Sequence, residues 1–82
     1  MDTKAPAALL RAAIEAVRAM PAGVGRAVAA TELLGALRDG QADLRKIRAD
    51  EVTELRKTLK LREIGEQLSL STGRVDQILK GK

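Results

Sequence analysis

The sequence predicts an all-α protein: an N-terminal helical hairpin, a long connecting helix and a C-terminal pair of short helices. Three observations carry this reading. Leu10, Ala13, Ile14, Val17 and Met20 recur at the three-and-four spacing of one helix face. Residues 24–58 contain no Pro and are rich in Ala, Leu, Arg and Glu, all strong helix formers. Residues 61–79 carry apolar side chains in two short helical spans separated by Ser69-Leu70-Ser71. With 82 residues and no Phe, Tyr or Trp, the core must come from Leu, Ile, Val, Met and Ala. Such a core is thin, and help from a second copy of the chain is expected.

The first helix is predicted over about residues 5–20. Pro6 suits an early helical position, and Thr3 or Asp2 is placed to cap the helix. Pro21, Gly23 and Gly25 then stop it and turn the chain, so a hairpin is the economical solution. From Val24 to Thr58 only Gly35 and Gly40 weaken the helical pattern. One long helix, kinked or frayed at Gly40, is favoured over two helices broken near Arg38-Asp39-Gly40. Ala27, Ala30, Leu34, Leu37, Leu44 and Leu55 form a seam for partner helices, interrupted by Gln41, Arg48 and Glu51. The interruptions either set the register of a dimer or mark a rotation of the helix, after which Leu44, Ile47, Val52, Leu55 and Leu59 share one broad face. The rotation is the preferred reading. Asp50 and Glu54 with Arg45, Lys46 and Lys57 read as solvated pairs, worth tenths of a kcal/mol each.

The last stretch, residues 61–79, has the pattern of a helix-turn-helix. Two helices crossing steeply over a short turn need a small residue where their backbones meet, and Gly65 stands there. Ile64, Leu68, Leu70, Val75 and Ile78 are expected to fill the angle between them. Ser71 is the N-cap of the second helix, its hydroxyl accepting from the amide of Gly73 or Arg74, which starts that helix at Thr72. With Val75, Ile78 and Leu79 turned inward, the outward face is Thr72, Gly73, Arg74, Asp76, Gln77 and Lys80. A recognition helix offers such a face to the major groove.

Composition excludes several function classes. The chain has no His and no Cys, which removes the usual zinc sites, thiolate nucleophiles, disulfides and imidazole bases. Its hydroxyls have no base partner of the usual type, and its acids are spread as surface pairs, so an enzyme is not expected, nor is a cofactor. No apolar run reaches the roughly 18–20 residues needed to span a bilayer, and Arg11, Glu15 and Arg18 interrupt the apolar part of the N-terminal stretch. Neither a signal peptide nor a membrane anchor is expected, and the default location is cytoplasmic. The net charge of +4 is unevenly placed: residues 1–55 carry eight basic and eight acidic side chains, so the whole excess lies in 56–82. A basic end on a neutral body suits a polyanion partner.

The motif resembles the helix-turn-helix of region four of bacterial primary sigma factors. It is similar also to short helix-turn-helix proteins of high-GC Gram-positive bacteria, in which a helical hairpin with an ATELL-like run, here Ala30-Thr31-Glu32-Leu33-Leu34, precedes the motif. The resemblance covers the 19 residues of the motif and, more weakly, about 30 upstream, and it implies DNA binding. In sigma region four the positions corresponding to Thr72, Gly73, Asp76 and Gln77 contact the promoter; only Gln77 keeps the family residue, while Arg74 matches a frequent Arg. A Gly that often ends the preceding helix is replaced by Thr58-Leu59-Lys60, which leaves open a continuous entry into the motif.

These readings assign residues 1–58 to a hairpin and long helix used for homodimerisation and residues 59–82 to the DNA-binding motif. The expected function is sequence-specific binding of duplex DNA by a small homodimeric transcriptional regulator. Gln77 would pair with adenine, Arg74 would hold a phosphate or guanine, Asp76 would accept from cytosine, and Lys80 and Lys82 would follow a phosphate strand. Lys60 and Arg62 lie where a positioning helix crosses the backbone. The alternative is a protein-interaction module that docks on RNA polymerase, a sigma factor or another regulator. RNA binding ranks third, because the chain has no aromatic side chain on which single-stranded bases would stack.

Overall fold

The structure, a computed structural model, describes residues 1–81. Four helices make up the fold: α1 (Ala5–Arg18), α2 (Val24–Leu55), α3 (Leu61–Leu68) and α4 (Thr72–Leu79). The described residues contain no strand, so the protein is all-α as the periodicity requires. The chain packs as two compact units, Met1–Arg38 and the residues from Asp39 onward, and α2 contributes its first part to one and its remainder to the other.

In the first unit α1 ends two residues before the expected Met20. Neither Asp2 nor Thr3 caps it: Lys4 is the N-cap and has no side-chain cap bond, while Asp2 Oδ1 accepts from the Lys4 amide at 2.9 Å. Asp2 therefore closes a tight turn ahead of the helix instead of satisfying one of its first amides. The chain reverses through Pro21-Ala22-Gly23, where Gly23 takes φ 142°, a value other residues rarely adopt. The Arg26 Nε donates to the Val17 carbonyl at 3.3 Å and ties the two arms together. No side chain of α1 is fully buried. An apolar groove of about 650 Å³ separates the arms, lined by Ile14 and Val17 of α1 and Ala30, Leu33, Leu34 and Leu37 of α2. Leu34 is 66% exposed.

α2 is a single helix of 32 residues that runs through Gly35 and Gly40. The hydroxyls of Thr31 and Thr53 donate to the carbonyls of Ala27 and Ala49, both at 2.8 Å, so these two helical Thr are satisfied within the helix itself. The helix ends at Leu55, three residues earlier than the pattern suggests. Entry into α3 is not continuous. Lys57 and Thr58 donate to Glu54 and Leu55 in a tight turn, and Lys60 is extended at φ −78°, ψ 156°.

The core lies in the second unit. Val52, Ile64, Val75 and Ile78 are buried, with Ala49, Leu55, Leu59, Leu61, Leu70 and Leu79 packed around them. Each large aliphatic side chain buried in this way contributes about 1.5–3 kcal/mol, and Val52 is the buried residue by which α2 shares this core with α3 and α4. The broad face expected on α2 is only partly covered. Val52, Leu55 and Leu59 join the core, but Leu44 and Ile47 stay exposed. The reason is axial. The stripe Ala49-Val52-Leu55 continues toward the N-terminus, at spacings of three and four, through Arg45 and Arg48, but the packed residues of α2 are Ala49 to Leu55, and Leu44 and Ile47 precede that stretch. Leu68, expected in the angle between α3 and α4, is also exposed, at 39%.

Candidate nucleic-acid interface

Three local devices hold α3 and α4 in place. At the start of α3, Glu63 Oε1 accepts from the Lys60 amide at 2.9 Å, one half of a capping box. At its end Ser69 adopts the left-handed conformation, φ 58° and ψ 40°. The amides of Leu70 and Ser69 return to the carbonyls of Gly65 and Glu66, at 2.8 and 3.4 Å, the pattern of a Schellman motif. This lock draws the backbone of Leu70 over Gly65, where a Cβ would lie 2.6 Å from the Leu70 carbonyl oxygen. The need for a side-chain-free residue at 65 therefore arises at the turn itself, with Val75 as a further neighbour. At the start of α4, Ser71 Oγ accepts from the Arg74 amide at 3.1 Å, one of the two partners expected for this cap.

Val75 and Ile78 bury one side of α4, and the opposite side carries Gly73, Gln77 and Lys80, all exposed. Thr72 is exposed at the first turn. Two residues assigned to the outward face lie on its flanks. Asp76 is half-buried and paired with the exposed Lys80 at 2.8 Å. Arg74 is half-buried on the side toward α2, and its Nη1 donates to Gln77 Oε1 at 3.3 Å. A position three residues before Gln77 is displaced by about 60° around the helix axis, which carries Arg74 out of the open face and into a cleft against α2. Lys60 and Arg62 are exposed at the start of α3, Arg62 within 3.9 Å of Glu66. Lys82 lies outside the described residues.

Two of the expected solvated pairs form, Lys46 with Asp50 on α2 and Lys57, just beyond it, with Glu54, each at 3.1 Å. Arg45 has no carboxylate partner among the described residues. Arg48, read from the sequence as an interruption of the seam, is half-buried, and its Nε is shielded from solvent without a hydrogen-bond acceptor among the described residues. Arg45, Arg48 and Arg74 line the same cleft. The signal for it lay in the spacing Arg45, Arg48, Ala49, Val52, Leu55, which places both arginines on the stripe that packs against α4.

Comparison of the chain with protein-family models, curated proteins and solved structures finds no match. No helix among the described residues is long and apolar enough to cross a membrane.

Proposed function

We propose that the protein binds duplex DNA through α3 and α4 and acts as a small homodimeric transcriptional regulator of the cytoplasm, similar in its motif to sigma region four. The observation that carries this reading is the mounting of α4: one side is fixed by Val75 and Ile78 in the core, and the other, Gly73, Gln77 and Lys80, is left uncovered. Gly73 adds no bulk, so a groove wall could approach the helix closely. Gln77 has the amide donor and acceptor needed for bidentate pairing with adenine, and Lys80 reaches phosphates. The excess of positive charge in residues 56–82 favours the same partner.

Homodimerisation assigns a use to the hairpin. A single motif of this charge binds duplex at about 10⁻⁴–10⁻⁶ M, and pairing two raises avidity by roughly 10²–10⁴. The groove lined by Ile14, Val17, Leu33, Leu34 and Leu37 supports a helix-lined interface with a second copy. The same groove is the observation that favours the second reading, docking on RNA polymerase, a sigma factor or another regulator.

Binding to a random-sequence duplex over about 50–200 mM salt separates the two. DNA binding requires log affinity to fall linearly with log salt. A chain indifferent to duplex at the lowest salt would be a docking module.

A further inference from the structure

Arg45 and Arg48 of α2 and Arg74 of α4 line a cleft of about 490 Å³ together with Lys46, Ala49, Ile78 and Gly81. The same three arginines line an adjoining hollow of about 340 Å³ beside Gln41 and Leu44. Among the described residues neither lining includes a carboxylate. Among the described residues none of the three guanidinium groups forms an ion pair, whereas Lys46, Lys57, Arg62 and Lys80 all do. Among the described residues Arg74 has the neutral Gln77 oxygen as its side-chain partner, and Arg48 Nε has none. Like charges gathered in a partly desolvated cleft repel one another, and a buried N–H without an acceptor carries its full desolvation cost. A phosphate group removes both penalties at once. It supplies negative charge and several acceptor oxygens, and the forked guanidinium matches its geometry better than any other side chain does.

We infer that Arg45, Arg48 and Arg74 form a phosphate-binding cleft beside the exposed face of α4. Arg74 lies about 60° around the axis from Gln77, so the cleft borders the surface assigned to DNA and is placed to hold one backbone phosphate next to the bases that α4 faces. The source of the phosphate rests on the DNA reading; the cleft itself would equally take a free phosphorylated ligand. Either way Arg48 acts as an anion ligand and not as a break in a dimer seam.

The side-chain Nε–Hε resonances of ¹⁵N-labelled full-length protein report on this directly, with Arg11 and Arg38 as remote controls. Two probes are titrated, inorganic pyrophosphate and a random-sequence duplex. The cleft predicts that Arg48 and Arg74 move well before the controls with at least one probe. Arg45→Gln, a change at an exposed position, should weaken pyrophosphate binding about tenfold and lower the salt slope for duplex by about one; Arg48→Lys should restore more binding than Arg48→Gln. Movement with both probes assigns a backbone phosphate, and movement with pyrophosphate alone assigns a free ligand and removes DNA as its source. If duplex binds and shifts the α4 amides while Arg45, Arg48 and Arg74 respond no more than the controls to either probe, the cleft is refuted and the DNA reading stands. If duplex does not bind but pyrophosphate moves Arg48, the DNA reading fails and the cleft stands.

Discussion

Gly65 and Ser69 together set the geometry of the turn between α3 and α4. The Leu70 carbonyl oxygen sits 2.6 Å from where a Cβ on residue 65 would be, and it is a backbone atom held by the Leu70-to-Gly65 hydrogen bond. Gly65→Ala should therefore destabilise the protein by about 1–2 kcal/mol, even though Ala gains up to about 1 kcal/mol in helix propensity. Urea denaturation gives the sign, and an increase in stability would mean that the turn does not close over this residue. Ser69 carries the opposite penalty, since it occupies a left-handed conformation that costs an L-residue about 1 kcal/mol or more. Ser69→Gly should raise stability by about 0.5–1 kcal/mol and the melting temperature by several degrees, without altering the exposed face of α4. The special roles of Gly65 and Ser71 were legible in the sequence because they follow from local backbone chemistry. Ser69 was legible only as part of a turn, because its left-handed φ emerges from how α3 ends.

Among the helices, α4 divides its work between two sides, and substitutions on them should have different signatures. Gln77→Ala should reduce discrimination at one base pair by about 1–3 kcal/mol, while Lys80→Ala should weaken all duplexes alike. Affinities for a selected site and its scrambled counterpart distinguish them; equal losses on both DNAs for Gln77→Ala would remove it from base reading. The start of α4 was legible from the Ser71 cap, and the inward placement of Ile64, Val75 and Ile78 from the helical period, whereas the break between α2 and α3 and the exposure of Leu68 were not. The period says which residues share a face, but not how far a partner helix extends over that face. α3 and α4 are each eight residues long. They cover α2 from Ala49 to Leu55 and leave Leu44 and Ile47 exposed. For the same reason Arg74 reads from the pattern as outward, and only the packing of α4 on α2 brings it beside Arg45 and Arg48.

Across the full chain, the contrast between the two units matters most. Residues 39–81 contain every fully buried side chain among the described residues, whereas the hairpin buries none completely and exposes Leu9 to 73% and Leu34 to 66%. The scarcity of core was legible in the composition, but which unit would lack one was not, because the apolar pattern of the hairpin looks as regular as that of the motif. Leu34 is already largely exposed in the single chain, so Leu34→Glu should leave helicity unchanged while shifting sedimentation from dimer to monomer. Affinity for an inverted repeat with half-sites about one helical turn apart should fall by roughly 10²–10⁴. A wild-type chain that sediments as a folded monomer at tens of micromolar and still binds one half-site tightly would refute the dimer. Whether the exposed side of α4 meets DNA is read most directly from backbone amide shifts of the full chain titrated with a selected duplex. Perturbations should concentrate at Thr72, Gly73, Gln77 and Lys80 and at Lys60 and Arg62, with Ile14, Leu33 and Leu37 unmoved; perturbations confined to the hairpin groove, with α4 silent, would contradict DNA binding by this helix.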